Sequence, residues 1–295
     1  MPPRNDPGTR FAPPPSPPLA MAAVSVVARR TRRRRGPIGP SAVALLLLVV
    51  AGMGVGKLAE PSPHTRGEIT LVAATATGPH PFTASVATGA APAPAKATTA
   101  TGSDSGTSPK SAQLITTTPG SHEGLFGGTR SAASCDRRAL VTALQGRPDR
   151  AAAFALVEGI SPGDIGSFVD GLTPVVLRGD TRVTDHGFIT DHPSILQSVL
   201  ESGSAVMVDH YGSPRVRCLS GDPLTPPVRI TITPTYLGTR WPGFVSAGVT
   251  VVTAAAQPLT SLVLTDTATG QRFRRPVATD GQADADAPAA PPPAS

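Results

Sequence analysis

Ala205-Val206-Met207-Val208 and Arg215-Val216-Arg217-Cys218 flank the turn signal Tyr211-Gly212-Ser213-Pro214, which reads as a β-hairpin. The stretch after it keeps the same character. Val228-Arg229-Ile230-Thr231-Ile232-Thr233 alternates, Val249 to Thr253 and Ser261 to Thr265 follow, and Thr269-Gly270 turns into Arg272-Phe273-Arg274. Upstream of the hairpin the signals change to helix starts and stops. Asp136 to Leu144 follows Ser134 as its candidate cap, and Asp149 is placed to cap the Ala-rich Arg150 to Glu158, which Gly159 ends. Ser161, Pro162 and Asp164 open a third helix at N-cap, N1 and N3. Ser194 to Glu201, stopped by Gly203, reads as a fourth short helix. Short helices first and antiparallel strands afterwards predict an α+β domain over residues 121–279.

A single domain of all 295 residues is ruled out. With 30 Gly, 34 Pro and only 4% aromatic residues, the chain has too little large apolar surface for one core from end to end. Residues 84–120 are almost entirely Ala, Thr, Ser, Gly and Pro, and read as a disordered stalk or insertion. Residues 280–295 read as a disordered tail. Within residues 59–83, Glu68-Ile69-Thr70-Leu71-Val72 alternates like a strand. If it pairs with the main domain, the low-complexity stretch is an insertion rather than a spacer.

Between Arg35 and Lys57 no residue is charged, and the centre reads Ala42-Val43-Ala44-Leu45-Leu46-Leu47-Leu48-Val49-Val50-Ala51. About 21 residues at 1.5 Å each span one hydrocarbon thickness. Residues 37–58 therefore read as a transmembrane signal anchor, with the lipid bilayer as partner. Arg29, Arg30 and Arg32 to Arg35 keep residues 1–36 cytoplasmic and place everything after Lys57 outside. A cleaved signal peptide is the alternative, with a secreted product; its weakness is the poor cleavage sequence Lys57-Leu58-Ala59. Met21 to Arg35 alone makes a normal leading region, so Met21 is a second candidate start. The net charge of +6 comes from the same place, since residues 1–35 hold eight Arg and one Asp. Nucleic-acid binding needs basic residues spread over a folded face, and this distribution argues against it.

Cys135 and Cys218 are the two cysteines, both on the side expected to be exported. Compartment and even count favour a disulfide joining the helical half to the hairpin. Two buried thiols, or a reactive Cys218 beside Arg215 and Arg217, are the alternatives. The stretch richest in chemistry is Arg178-Gly179-Asp180-Thr181-Arg182-Val183-Thr184-Asp185-His186-Gly187. In a strand, Arg178, Asp180 and Arg182 share one face, where they suit an anion or a carboxylate. His186 beside Gly187 is placed as a general base on a turn. A surface ion-pair ladder leading into a turn explains the same residues without any ligand. Asp185-His186, Asp191-His192 and Asp209-His210 bring metal-ligand types together. Each dipeptide supplies only one ligand easily, and no zinc spacing accompanies them, so no metal is expected. Gly124 to Gly128 does not match a phosphate-binding loop, and no nucleophile elbow is present. Nothing points to a cofactor.

The run Gly124-Leu125-Phe126-Gly127-Gly128-Thr129-Arg130 with Ser134-Cys135-Asp136 belongs to a larger pattern. Leu172 to Arg178, Asp180 to Thr184, His186 to Phe188, Pro214 to Cys218, and Thr269-Gly270 with Phe273, Arg275 and Pro276 complete it. Together these residues resemble a family of actinobacterial envelope proteins known as a domain of unknown function, over roughly 67–83 and 119–279. In that family Asn commonly stands at the position of Asp185, which weakens an acid–base role for it. A second Cys often follows the position of Cys218, where this chain has Leu219-Ser220. The resemblance brings no activity, cofactor or catalytic residue. The first functional expectation is therefore a binding or sensing module of the cell envelope. The alternatives are an extracytoplasmic hydrolase or transferase centred near His186, and a structural stalk protein.

Overall fold

The computed structural model describes residues 67–89 and 116–287. The chain divides into two units, Met1–Leu58 and Ala59–Ser295, and all described residues belong to the second. The apolar run 37–58, the Arg block before it and residues 90–115 of the low-complexity stretch lie outside the described residues. Among the described residues no helix is long and apolar enough to cross a membrane. In chain order the elements are β1 (Glu68–Val72), β2 (Thr116–Pro119), β3 (Phe126–Gly128), α1 (Arg137–Gln145), α2 (Pro148–Glu158) and α3 (Ile165–Asp170). There follow β4 (Thr173–Leu177), β5 (Thr181–Asp185), β6 (Phe188–Ile189), β7 (His192–Pro193), β8 (Leu196–Leu200), β9 (Ala205–Val208), β10 (Pro214–Arg217) and β11 (Asp222–Thr225). The last are β12 (Thr235–Leu237), β13 (Thr250–Thr253), β14 (Ser261–Asp266), β15 (Arg272–Pro276) and β16 (Ala285–Asp286). The domain is α+β.

The three helices lie where the sequence places them, with different caps. Asp136, not Ser134, caps α1: its carboxylate accepts from the Ala139 N–H at 2.9 Å. Ser134 instead donates its hydroxyl to Val175 O at 3.1 Å. α2 starts earlier than Asp149, with Arg147 at the N-cap and Pro148 at the first position, where a missing N–H is harmless. It ends at Gly159 with a left-handed φ of 69°. Ser161 and Pro162 open a 3-10 turn, Pro162–Asp164, that runs into α3.

The expected fourth helix does not form. Ser194–Glu201 contains β8, held between β1 and β5 and buried at four of its five positions. A strand covered on both faces loses the period of two, so only its flanking Ser and Gly remained to be read. Val228–Thr233 is the opposite case, alternating in sequence but irregular in structure. Pro226, Pro227 and Pro234 flank it and remove ladder donors. Its first residue is pinned instead by side chains, Val228 N–H to Gln197 Oε1 at 2.9 Å.

Fourteen strands make one sheet in the order β12-β1-β8-β5-β11-β10-β9-β4-β3-β14-β15-β16, with β13 beside β5 and β2 beside β13. The antiparallel hairpins β9–β10 and β14–β15 form as the turns predict. The sheet is mixed rather than antiparallel, because β1 runs parallel to β8 and β12, β13 to β5 and β2, and β3 to β14. Strand β1 therefore pairs across the low-complexity stretch, which is an insertion. Both ends of that stretch belong to the domain. Residues 84–89 pack into the domain, with Val86 buried, and 116–119 form β2 on β13. Residues 280–287, expected as part of a disordered tail, belong to the domain: Arg275 forms a two-pronged ion pair with Asp284, both side chains fully buried.

Strand alternation sorts the core. Ala205, Met207 and Val216 face the helices, against Phe82, Leu140, Leu144, Phe154, Ile165 and Val169. Val206, Val208, Val175 and Leu177 face the other way, towards Leu262, Leu264 and Phe273. A smaller cluster, Ile69, Leu71, Val199 and Val249, lies under the segment between β11 and β13.

Candidate functional site

The residues singled out in the sequence are placed apart. The chain bends at Arg178 to Asp180 and β5 begins only at Thr181, so Arg178, Asp180 and Arg182 do not share one strand face. Arg178 Nη1 donates to Gly124 O at 2.7 Å. Asp180 accepts from the Ser202 N–H at 3.0 Å and from the Trp241 indole N–H at 3.1 Å. Burial pushes its carboxyl up, and those two donors hold it back. Arg182 is buried and donates to Val228 O at 2.5 Å; burial lowers its pKa. His186 lies 3.0 Å from Ser194 O through Nδ1 and 2.8 Å from Thr225 Oγ1 through Nε2. A carbonyl only accepts, so Nδ1 carries the proton in the neutral ring and Nε2 accepts from Thr225. None of these four side chains shares a named hydrogen-bond partner with another.

The three Asp-His dipeptides also part. Asp209 accepts from the N–H groups of Tyr211 and Ser213, both at 2.9 Å, and so shapes the hairpin turn. Asp191 takes a positive φ of 68° in the turn between β6 and β7. Among the described residues no group of three His, Cys, Asp or Glu could hold a metal ion.

Sequence reading missed the densest buried charge. Register sets Arg217 opposite Asp222 and brings Asp185 opposite Leu224 on the next strand. All three are at most 3% exposed. Arg217 reaches beyond the sheet to the loop after β1, donating to Thr77 O (2.9 Å), Ala73 O (3.3 Å) and Ala76 O. Gly78 allows this approach: a Cβ there would stand 2.9 Å from Arg217 Nη1, and its φ is +75°. Asp222 accepts from the Phe82 N–H at 2.9 Å. Burial drives both carboxyls up. The Arg217 guanidinium counters this at Asp185, whereas the Asp185 charge adds to it at Asp222. A third buried acid, Glu158 at the end of α2, pairs with Arg215, yet burial still raises it to about 7.

These groups set a pH dependence. Raised native values mean the folded chain binds more protons than the unfolded one between about pH 4 and 8, so stability falls as pH rises through that window. The melting temperature should be a few degrees higher at pH 5.5 than at pH 8. Glu158→Gln should flatten the slope. A flat or rising profile would contradict the placement of these acids.

Cys135 and Cys218 are bonded, with Cα atoms 5.9 Å apart and both residues buried. Cys218 and the neighbours of both cysteines hold residues 82–88 as a strap: Thr83 N–H bonds Ser220 O, Val86 N–H bonds Cys218 O, Asp136 N–H bonds Val86 O, and Thr88 N–H bonds Ser134 O. Beside the strap opens a cleft of about 590 Å³. Twelve of its fourteen lining residues are Ala, Gly, Ser or Thr, among them Ala74, Thr88, Gly89, Ala133, Ser134 and Ala205. Across Thr88 and Ala133 it adjoins a second hollow of about 570 Å³ that carries Asp136, Arg137, Arg138, Asp170 and Asp280. Arg137 is held by the Asp170 and Leu172 carbonyls and by Asp280, so the charged wall is braced. Composition alone gave no sign of this cleft, because small residues also mark loops.

Fold and site together define an α+β domain whose disulfide and buried ion cluster fasten an N-terminal strap beside a cleft of small residues. The chain belongs to the DUF6777 family, a domain of unknown function that matches residues 116–278. No curated protein and no solved structure matches it.

Proposed function

We propose that this chain is a single-pass membrane protein, N-terminus inside, whose DUF6777 domain acts outside the membrane as a binding module. The observation that carries the reading is the Cys135–Cys218 bond. The chain has two cysteines, and both are spent on a buried disulfide, the chemistry of an oxidising compartment. The Arg block and the apolar run 37–58 supply the matching route of export. The cleft supplies the ligand seat. Small side chains leave backbone N–H and C=O groups within reach, which suits an extended peptide, and the braced charges of the adjoining hollow suit its ionised end. The hydrolase alternative has weaker support, since His186 is only 8% exposed and lies apart from the cleft residues named above.

Protein taken from the envelope without reductant should yield one disulfide-linked Cys135/Cys218 peptide pair, and a reporter fused after Ser295 should be active only outside. Two separately alkylated cysteine peptides, or a reporter active inside, would remove the reading. For the ligand, short peptides at millimolar concentration should stabilise the full chain, by about 2.7 kcal/mol at 100 times Kd, and so raise its melting temperature. Ala133→Trp, at the junction of the two hollows, should abolish that rise without lowering the melting temperature of the free protein. If peptides leave it unmoved, a structural role replaces the binding role.

A further inference from the structure

Large apolar side chains are exposed in one region above all. Of the six such residues among those described, Val228, Ile232, Leu237 and Val245 lie within eighteen residues of each other in sequence; Ile232 is 53% and Val245 59% exposed. Half-buried Tyr236, Trp241 and Phe244 stack edge to face beneath them, and Arg240 lies over the Tyr236 and Phe244 rings. Residues 226–249 contain no Asp or Glu, and their two charges are Arg229 and Arg240. Asp180, against Trp241 from another element, is held by that indole and by the Ser202 N–H; aromatic rings, exposed aliphatics and cations in one segment are the makings of a surface that lies in a bilayer interface.

The chain enters the domain at this same patch. Gly67 O accepts from the Thr235 N–H at 2.9 Å, and a Cβ on Gly67 would stand 2.8 Å from Ile232 Cδ1. The apolar run read as the anchor ends at Leu58, and eight residues, 59–66, separate it from Gly67. Fully extended they span roughly 30 Å, less than the roughly 40 Å breadth of a domain of about 200 residues. A tether that short, rooted in the patch itself, cannot carry the patch further than roughly 30 Å from Leu58.

We infer that the 226–249 segment is a membrane-docking face that seats the domain on the outer leaflet, with Ile232, Leu237 and Val245 in the interface and Arg229 and Arg240 against anionic headgroups. The inference rests on the anchored, exported reading above. Trp241 is the chain's single tryptophan and reports directly. The full chain is reconstituted in vesicles of phosphatidylcholine and phosphatidylglycerol, with or without bromine on the upper acyl chain.

Brominated lipid should quench Trp241 emission by a third or more. Ile232→Asp with Val245→Asp should remove the quenching while circular dichroism and the thermal transition stay as in the parent. Arg229→Glu with Arg240→Glu should weaken it and abolish its dependence on phosphatidylglycerol. A chain that floats with the vesicles but is not quenched overturns the docking face and leaves the anchor standing. A chain that does not float with them overturns both. Emission that shifts with protein concentration, and not with brominated lipid, assigns the patch to a second copy and overturns the proposal.

Discussion

A chain that begins at Thr116 should not fold, although residues 116–278 hold the whole family match. Strand β1 fills the gap between β8 and β12, so its loss leaves those two strands without their shared neighbour. Ile69, Leu71, Val72, Phe82 and Val86 are all at most 6% exposed and leave the core with it. At about 1.5–3 kcal/mol for each buried side chain, their loss approaches the 5–15 kcal/mol that stabilises a typical domain. The damage is also polar. Asp222 loses its Phe82 donor, Ser220 O and Cys218 O lose theirs, and Arg217 loses three carbonyls. Calorimetry should therefore find a cooperative transition for residues 67–287 and none for 116–287. A comparable transition in the shorter fragment would show that the strap is an accessory. Replacing 90–115 with a Gly/Ser linker of equal length should move the midpoint by no more than about 2 °C, because loop closure depends on length far more than on composition.

That strap also marks where sequence reading succeeds and fails. Elements fixed by their own neighbours were legible: Gly212 and Pro214 announce the β9–β10 turn, Gly159 ends α2, and Thr269-Gly270 closes β14 onto β15. Elements fixed by distant partners were not. β2 is Thr-Thr-Thr-Pro, which looks like more of the low-complexity stretch until β13 is beside it. β8 shows no period of two because both its faces are covered. Asp284 sits in an Ala/Asp/Pro tail and becomes structural only through Arg275. Charge misled in the same way. Arg182 and His186 stood out because charged residues usually serve at surfaces, and the fold buries both. Arg217, read as a strand residue and as a cation beside a reactive Cys218, turned out to organise the centre. No local pattern separates a buried arginine from an exposed one at alternate strand positions, because the difference lies in Asp185 and the Ala73, Ala76 and Thr77 carbonyls, which are distant in sequence, and in Asp222, which comes opposite only through the β10–β11 register.

Arg217→Met should then be among the most damaging single substitutions in the domain, and its damage should depend on pH. Methionine keeps the unbranched stem as far as the position of Nε and removes the cation that faces two buried carboxyls. Breaking a buried pair from one side costs about 3–5 kcal/mol, because a charge is left without compensation. Here the stranded acids escape by taking up protons, so the native values of Asp185 and Asp222, already raised by burial, rise further. The folded variant then holds more protons than the unfolded chain over a wider range, and its stability falls with pH more steeply than the parent's. Urea denaturation should show the larger loss at pH 8 and a smaller one at pH 5.5, where both carboxyls are neutral at little expense. Adding Asp222→Asn should restore part of the loss at pH 8, since the amide keeps an oxygen for the Phe82 N–H and removes one of the stranded charges. If Arg217 works instead only by bonding the Ala73, Ala76 and Thr77 carbonyls, the loss will be equal at both pH values and Asp222→Asn will recover nothing. That result would leave the strap held by hydrogen bonds alone and strip the ion cluster of its electrostatic role.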